Sequence, residues 1–168
     1  MNTEFNKIGL FIGQAPPEKE YKIPFSRTRL YKWFGEVNID KDSIINSFDF
    51  EALSSTFPGR TSNGHKTPSK LDIALHIPHL IKKIELGNYK LIIPIGKLAI
   101  QYVLNSSPKF DLRDVIGNVI YRHPFGLSHI DIDIVPLPHP SGINTWEFND
   151  SNRQLLRQAI ANIKERIV

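Results

Sequence analysis

Runs of apolar residues along the chain predict the strands of a buried sheet. Residues 8–13 and 90–95 are almost wholly apolar, which is typical of strands covered on both faces. Residues 48–53 and 130–137 alternate apolar and polar side chains, the pattern of a strand with two unlike faces. A possible extra strand lies at residues 119–122. Glycine, proline and asparagine predict a loop at residues 58–64.

Helical spacing of apolar residues predicts four helices among these strands. Ser26 is expected to cap the first helix, and Ser69 opens the second. Pro78 should kink or break the second helix. The last helix is expected to be capped near Asn149 or Asp150. In chain order the helices cover the segments around residues 26–34, 68–87, 99–104 and 150–167.

Strands that alternate with helices predict an α/β fold. We expect a three-layer α/β/α sandwich around a central, mostly parallel four-stranded sheet. With 168 residues, a single domain over residues 1–168 is expected. Ligands bind such sheets outside the carboxyl ends of the strands. The candidate site is therefore placed in the loops that follow Ile12, Leu53 and Leu137.

The composition limits the available chemistry. The chain has no cysteine, which excludes disulfides, thiolate catalysis and cysteine-ligated zinc or iron–sulfur sites, and fits a reducing compartment. Its six histidines are scattered, so neither a metal site nor a cofactor is predicted. Residues 1–5 lack the apolar core of a secretory signal, and the longest apolar run, around residues 91–95, is too short to cross a bilayer. We expect a cytoplasmic monomer that does not enter a membrane.

Positive charge is concentrated in one loop. The net charge of +4 is by itself weak evidence for a polyanionic partner. Between residues 60 and 70, however, Arg60, His65, Lys66 and Lys70 occur without an acidic residue. This segment is either an ordinary solvated loop or one that contacts phosphates.

Two short motifs occupy the predicted site. Gly13-Gln14-Ala15-Pro16 follows the first strand and His139-Pro140-Ser141-Gly142 follows the last. Either motif alone could be turn chemistry, and a second His-Pro pair at residues 123–124 has no comparable context. Together, however, they resemble the two signature loops of the uracil-DNA glycosylase superfamily. The resemblance extends over roughly residues 8–165 through four further segments: Pro24-Phe25, residues 57–60 with 68–69, residues 76–80 and residues 95–99.

The resemblance implies removal of a damaged base that has been flipped out of DNA. His139 would stabilise the negative charge that develops on a carbonyl oxygen of the leaving base. Phe25 would stack on that base, unless it is simply a core aromatic. The first loop would line the base pocket through Gly13, Gln14, Ala15 and Pro16, with backbone N–H groups of Gln14 and Ala15 bound to the base.

The same resemblance implies a surface that holds the DNA, single- or double-stranded. Gly142 lets the last loop approach the minor groove. Ile143 is either the apolar wedge that fills the vacated stack or a loop anchor packed on Trp146. Phosphate contacts, which position DNA without reading its sequence, fall to the following residues: Arg60, Lys66, Ser69, Ser141 and Asn144.

The chain departs from the family pattern at the water-activating position. The best-known branch has an aspartate where this chain has Ala15, and the thermophile-type branch has a glutamate where it has Gln14. Glutamine cannot accept a proton at neutral pH but can orient a water by hydrogen bonding. Glu18 or Glu20, further along the loop, could substitute.

Two other features of the family are replaced. The base-reading asparagine at the end of the second strand is not found, so Ser54 or Ser55 would take that role. The iron–sulfur cluster of the thermophile-type branch is not expected, since its cysteine places hold residues such as His76 and Thr56.

The sequence thus predicts a DNA glycosylase that removes uracil or a related damaged base, with His139 and Gln14 as its catalytic residues. A second hypothesis keeps the fold and the binding without the catalysis. A third, an unrelated nucleotide-binding α/β enzyme, is weakened because neither glycine-rich phosphate motif occurs in the chain.

Overall fold

A computed structural model describes residues 6–19, 22–62 and 64–167. Residues 1–5, considered above for a secretory signal, lie outside this description. Within the described residues a five-stranded sheet has the order β2-β1-β5-β7-β6, and a separate hairpin pairs β3 with β4. The strands are β1 (Gly9–Gly13), β2 (Phe48–Ala52), β3 (Arg60–Thr61), β4 (Gly64–His65), β5 (Leu91–Pro94), β6 (Ile120–Arg122) and β7 (Ile132–Ile134).

Helices cover the sheet on both faces, which confirms the predicted three-layer sandwich. One layer contains α1, α2 and α5, and the other contains α3 and α4. The helices are α1 (Leu30–Gly35), α2 (Lys41–Ser47), α3 (Lys70–Gly87), α4 (Lys97–Val103) and α5 (Asp150–Ile167), with short 3₁₀ turns at Leu112–Asp114, Pro124–Gly126 and Trp146–Phe148. No helix in the described part of the chain has the length and apolar character that a bilayer crossing needs.

The prediction of a four-stranded sheet was wrong by one strand. β1, β2, β5 and β7 are all parallel, as expected, but β6 joins them antiparallel to β7. Its register pairs Ile120 with Ile134 and Arg122 with Ile132. β6 is the segment considered above as a possible extra strand, and its backbone pairs with an edge of β7 that would otherwise lack hydrogen-bond partners.

Alternating side chains divide the core between the two faces of the sheet. Phe11 and Ile93 pack toward α1 and α5, whereas Leu10, Ile12 and Ile92 pack toward α3 and α4. All five are fully buried. The central strands are apolar on both sides because helices cover both sides.

β2, at one edge of the sheet, has two unlike faces. Phe50 stacks on Phe11 with ring centroids 4.9 Å apart, within the core shared with α1 and α5. Glu51 points the other way and accepts a hydrogen bond from Lys83 of α3, with Nζ and Oε1 2.8 Å apart. Asp49, on the same face as Glu51, accepts one from the Tyr89 hydroxyl.

The predicted start of the first helix was wrong. α1 begins at Leu30, whose N–H is 3.3 Å from Thr28 Oγ1, and Ser26 lies in a preceding turn. Phe25, next to Ser26, has a φ of 60°, a left-handed conformation that a right-handed helix cannot include. α2 was not predicted, although Asp40 caps it by accepting from Ser43 N–H at 2.8 Å.

The remaining helix ends follow their capping residues. Ser69 Oγ accepts from Asp72 N–H at 3.1 Å, and Asn88 ends α3 in a left-handed conformation with a φ of 52°. α3 continues through Pro78 without a break. The side chain of Asn149 accepts from the backbone N–H of Ser151 and Asn152, so Asn149 caps α5 as predicted.

The segment predicted as a loop at residues 58–64 contains part of the β3–β4 hairpin. Arg60 pairs with His65 and Thr61 with Gly64. Gly59 and Gly64 both have positive φ, of 108° and 129°. The prediction of a loop over this whole segment was therefore wrong, because Arg60, Thr61 and Gly64 are paired strand residues.

Candidate functional site

The two motif-bearing loops leave the sheet beside the same strand end. Ile95, just after β5, donates its N–H to Ile12 O at 2.9 Å, and Gly96 donates to Leu137 O at 2.9 Å. The first loop, residues 13–16, therefore begins on one side of the end of β5, and the last loop, residues 139–144, begins on the other. Leu53, at the end of β2, is bound to Gly13 O at 3.0 Å.

His139 lies over Gly96 at the centre of this edge. A Cβ added to Gly96 would be 3.5 Å from His139 Cδ2, and Gly96 has a φ of 84°. Nδ1 of His139 accepts the backbone N–H of Ser141 at 3.2 Å. A neutral imidazole that accepts at Nδ1 carries its proton on Nε2, so the free side of the ring is a hydrogen-bond donor.

The surroundings of His139 favour its neutral form. Burial lowers its pKa below the ordinary value, and the nearby His65 lowers it further. His65 comes from β4, whose partner strand β3 begins at Arg60. The ring of His65 also packs edge-on against Phe57, with centroids 5.0 Å apart. The hairpin therefore contributes to the electrostatics of the last loop.

Arg29, which sequence reasoning missed, organises the last loop. Its backbone N–H donates to Pro140 O at 2.9 Å. Its Nη2 donates to Ser141 O at 2.7 Å and to Asn144 O at 2.5 Å. Its Nη1 forms an ion pair with Glu147 at 2.8 Å, and both side chains are mostly buried. No local sequence signal identifies Arg29, since its partners lie more than 100 residues away along the chain.

The side chain of Asn144 forms two hydrogen bonds to the backbone of the last loop and the residues after it. Its Nδ2 donates to His139 O at 2.7 Å, and its Oδ1 accepts from Trp146 N–H at 3.3 Å. The side chain predicted to contact phosphate is therefore engaged in fixing the backbone of His139.

The residues at the tip of the last loop are exposed to solvent. A Cβ added to Gly142 would meet nothing within 4 Å, and Ile143 is 79% exposed. The side chain of Ile143 lies near the hairpin, since its Cδ1 is 3.8 Å from a Cβ built on Gly64. Ser141, at the base of the tip, is half-buried. An apolar side chain thus projects from the edge of the sheet on a loop that several hydrogen bonds hold.

Phe25 lies against the first loop. A Cβ added to Gly13 would be 3.2 Å from Phe25 Cζ, so a side chain at position 13 would crowd the ring of Phe25. Two hydrogen bonds fix the backbone around it: Thr28 Oγ1 donates to Phe25 O at 2.7 Å, and the Tyr31 hydroxyl donates to Pro24 O at 2.5 Å. Burial raises the pKa of Tyr31 to about 12, so this hydroxyl keeps its proton.

The remaining residues of the first loop follow β1 directly. Gln14, Ala15 and Pro16 are half-buried. Glu18, one of the two carboxylates considered as substitutes for the missing acid, forms an ion pair with Arg60 of the hairpin. Glu20, the other, lies outside the described residues. The first loop is therefore tied to the hairpin through Glu18.

The two serines that follow β2 differ in the accessibility of their hydroxyl groups. Ser54 is 1% exposed, and its hydroxyl donates to Thr56 O at 3.2 Å. Ser55 is exposed. Ser54 is thus engaged in its own turn, and Ser55 is the more accessible of the two hydroxyls.

Three of the predicted phosphate contacts lie on the hairpin or shortly after it in the chain. Lys66 is exposed, and its aliphatic chain lies 3.5 Å from a Cβ built on Gly59. Ser69 caps α3, and Arg60 is the partner of Glu18. Within the described residues, the group that could hold a metal ion, Glu51 with His76 and His79, lies between β2 and α3.

A family model described as uracil DNA glycosylase superfamily matches residues 4–164. No curated protein matches the chain.

Proposed function

Because the chain belongs to the uracil-DNA glycosylase superfamily, whose model covers nearly all of it, we propose that it removes uracil or a related damaged base from DNA. The reaction is hydrolysis of the N-glycosidic bond. The observation that carries the proposal is the setting of His139: a neutral ring with its proton on Nε2, beside the loop that bears Gln14.

The first step is extrusion of the target nucleotide. The bond to be cleaved is inaccessible inside a duplex, so the base must leave the stack. Ile143, exposed at the tip of the last loop, fills the gap that the base leaves. The open space around Gly142 supports this role, because the loop can approach the groove without a side chain in the way.

The extruded base stacks on Phe25 beside the first loop. The left-handed backbone at Phe25 supports a functional role, since such a conformation costs of order 1–3 kcal/mol and such strain clusters at active sites. Gly13, Ala15 and Pro16 line the pocket, and backbone N–H groups of Gln14 and Ala15 bind the base. Of the two serines after β2, Ser54 and Ser55, the exposed Ser55 is the better placed to read the base, because Ser54 is buried and its hydroxyl donates to Thr56 O.

His139 then assists bond cleavage. The bond between the sugar C1′ and the base nitrogen breaks, and its electron pair leaves with the base. His139 Nε2–H donates to the carbonyl oxygen on which negative charge develops. A neutral donor suits this task because it needs no proton transfer to stabilise the anion.

Water completes the reaction. Its oxygen bonds to C1′, and its proton balances the charge of the departing base, giving free base and an abasic site. Gln14 orients the water through its side-chain oxygen. Glu18 is less suited to that role, because it is paired with Arg60.

The surface around the site positions the DNA backbone. Lys66, Ser69, Ser141 and Arg60 supply donors to phosphates, and Asn144 acts by fixing the loop. The protein is proposed to work as a cytoplasmic monomer. Its lack of cysteine suits that compartment.

A second candidate function is favoured by one observation: Gln14-Ala15 replaces the acidic residue of the family's first loop. General acid–base assistance is worth about two to four orders of magnitude in rate. Without it, the same site would bind a base or DNA with little or no cleavage.

An abasic-site cleavage assay decides between the two. Oligonucleotides that contain uracil, hypoxanthine or xanthine are incubated with the protein, and alkali then cuts any abasic strand. Strand cleavage with one of these bases supports the glycosylase. Retained binding without product on all three, single- and double-stranded, supports the binding protein.

A further inference from the structure

A second cluster of ligand-type side chains lies between β2 and α3. His76 and His79 are three residues apart on α3, so both project from the same face of the helix. Glu51 of β2 faces them, because it points away from the core that contains Phe50. The mechanism above uses none of these three residues.

The distances within the cluster are close to those of a metal site. His76 Nε2 is 4.0 Å from Glu51 Oε2, and His79 Nε2 is 3.6 Å from Glu51 Oε1. Ligand atoms of all three residues lie within 4.8 Å of one another. Tetrahedral zinc with bonds of about 2.0–2.2 Å separates its ligand atoms by roughly 3.3–3.5 Å, so small side-chain rotations would suffice.

We propose that Glu51, His76 and His79 bind one divalent transition-metal ion, of which Zn²⁺ fits best. Two imidazoles and a carboxylate are a known three-residue zinc set, with the fourth position left to water. His79 is 60% exposed, which gives the ion a path from solvent. This differs from the expectation, drawn from scattered histidines, that the chain has no metal site. Helix α3 and strand β2 bring together residues that the sequence separates.

Lys83 is the competitor of the metal. Its Nζ is 2.8 Å from Glu51 Oε1, where it neutralises the carboxylate. The side chain is 31% exposed, so it can swing into solvent when a cation takes its place. Removing the lysine should therefore favour the metal.

The site would fasten the edge strand to the helix layer next to the candidate active site. Ala52, which follows Glu51, is paired with Gly13 at the start of the first loop. A metal bound between β2 and α3 stabilises the folded state by mass action, since the unfolded chain lacks the arrangement. The role proposed is structural, and it stands whether or not the protein cleaves DNA.

The test is a titration of the full chain with Co²⁺, followed by displacement with Zn²⁺. We expect one Co²⁺ per chain and a visible absorption band typical of an ion with few ligands. We also expect a higher unfolding temperature with either metal. His79→Gln and Glu51→Gln should each weaken binding by at least roughly 10- to 100-fold, the range known even for supporting groups. Lys83→Met should tighten it.

His129→Gln is the matched control. His129 is 61% exposed and 3.7 Å from Glu85, and among the described residues this histidine–glutamate pair has no third ligand-type side chain close by. Loss of Co²⁺ binding in this variant, or undiminished binding in both His79→Gln and Glu51→Gln, would show adventitious binding and overturn the site. Failure of both wild type and Lys83→Met to bind Co²⁺ overturns it equally. Circular dichroism without metal identifies any variant that fails to fold.

Discussion

The imidazole of His139 is set by three neighbours of different kinds. The Ser141 N–H fixes which nitrogen carries the proton, Gly96 leaves room for the ring, and His65 adds a nearby positive charge when it is protonated. Each acts on a different property of the ring: its tautomer, its position and its pKa. At the residue scale, the tautomer and the position of the His139 ring are therefore determined before substrate binds.

Replacing His139 should affect turnover more than binding. His139→Ala removes a donor to the developing anion, and loss of one such donor typically costs about 10²–10³ in rate. We expect kcat to fall by this order, with the Kd for DNA changed by less than about threefold. Single-turnover kinetics and a binding assay measure both.

His123→Ala is the control for that substitution. It also precedes a proline, but its ring bonds to Ile130 O and pairs with Asp131, away from the last loop. Equal losses of kcat and affinity in His139→Ala, or a comparable kcat loss in His123→Ala, would contradict the assigned role.

Removing His65 should raise the pKa of His139. Burial is the larger cause of the lowered pKa and remains, so the new value should stay below the ordinary one. Because the neutral ring is the active form, activity falls as pH drops through the pKa of His139. In His65→Gln the acid limb of the rate profile should therefore move to higher pH, which NMR titration of the ring checks. An unchanged or lower pKa would exclude the coupling.

At the residue scale, the sequence predicted the residues that repeat a local pattern. His139 and Gln14 were proposed as catalytic because each stands in a short motif after a strand. Arg29 and His65 were not assigned their roles, because both act across large sequence distances through a backbone carbonyl or a ring charge. Such effects leave no spacing signal in one sequence.

At the scale of elements, α1 and the last loop form one unit. The guanidinium of Arg29, at the start of α1, binds two carbonyls of the loop and Glu147 beyond it. The backbone of Arg29 binds a third carbonyl, that of Pro140. The position of the loop is therefore determined by the packing of α1 on the sheet.

Arg29→Lys should loosen this unit despite keeping the charge. Lysine lacks the planar fork that reaches several acceptors at once. Leaving buried acceptors and Glu147 underpaired should lower the free energy of unfolding by about 1–3 kcal/mol, as measured by urea denaturation, and reduce kcat. Lys32→Met, an exposed change on the same helix, should do neither. A stability of Arg29→Lys equal to wild type would show that the carbonyl contacts matter little.

The elements that sequence predicted best are those that end at strong capping residues or repeat a long pattern. Ser69 and Asn149 marked the starts of their helices correctly. The start of α1 was misplaced because the left-handed turn at Phe25 depends on contacts with Gly13 and Phe50. The hairpin was missed because strands of two residues each have no periodicity to detect.

At the scale of the whole molecule, several basic side chains lie on the same side of the sheet as the candidate site. The hairpin and its flanks carry Arg60, His65 and Lys66 near the carboxyl edge, beside the last loop. Lys90 precedes β5 and so lies at the opposite edge. A polyanion should therefore bind at the edge that bears the candidate site.

Salt dependence of DNA binding tests this polarity. Each phosphate contact contributes about 0.9 to the slope of log K against log salt for duplex DNA. Lys66→Gln should reduce the slope by about 1 and weaken binding to all sequences alike. Lys90→Gln removes the same charge from the other edge and should leave the slope unchanged. Equal effects of the two variants would mean that binding follows net charge rather than this surface.

The ties between Arg29, Asn144 and the last loop have a consequence for the kinetics of encounter. A loop held by its own protein has already lost its conformational freedom during folding, so little entropy is lost when DNA arrives. The association rate should then depend on diffusion and charge rather than on loop rearrangement. The slow step of recognition should then be the deformation of the nucleic acid, because the loop does not have to change its conformation.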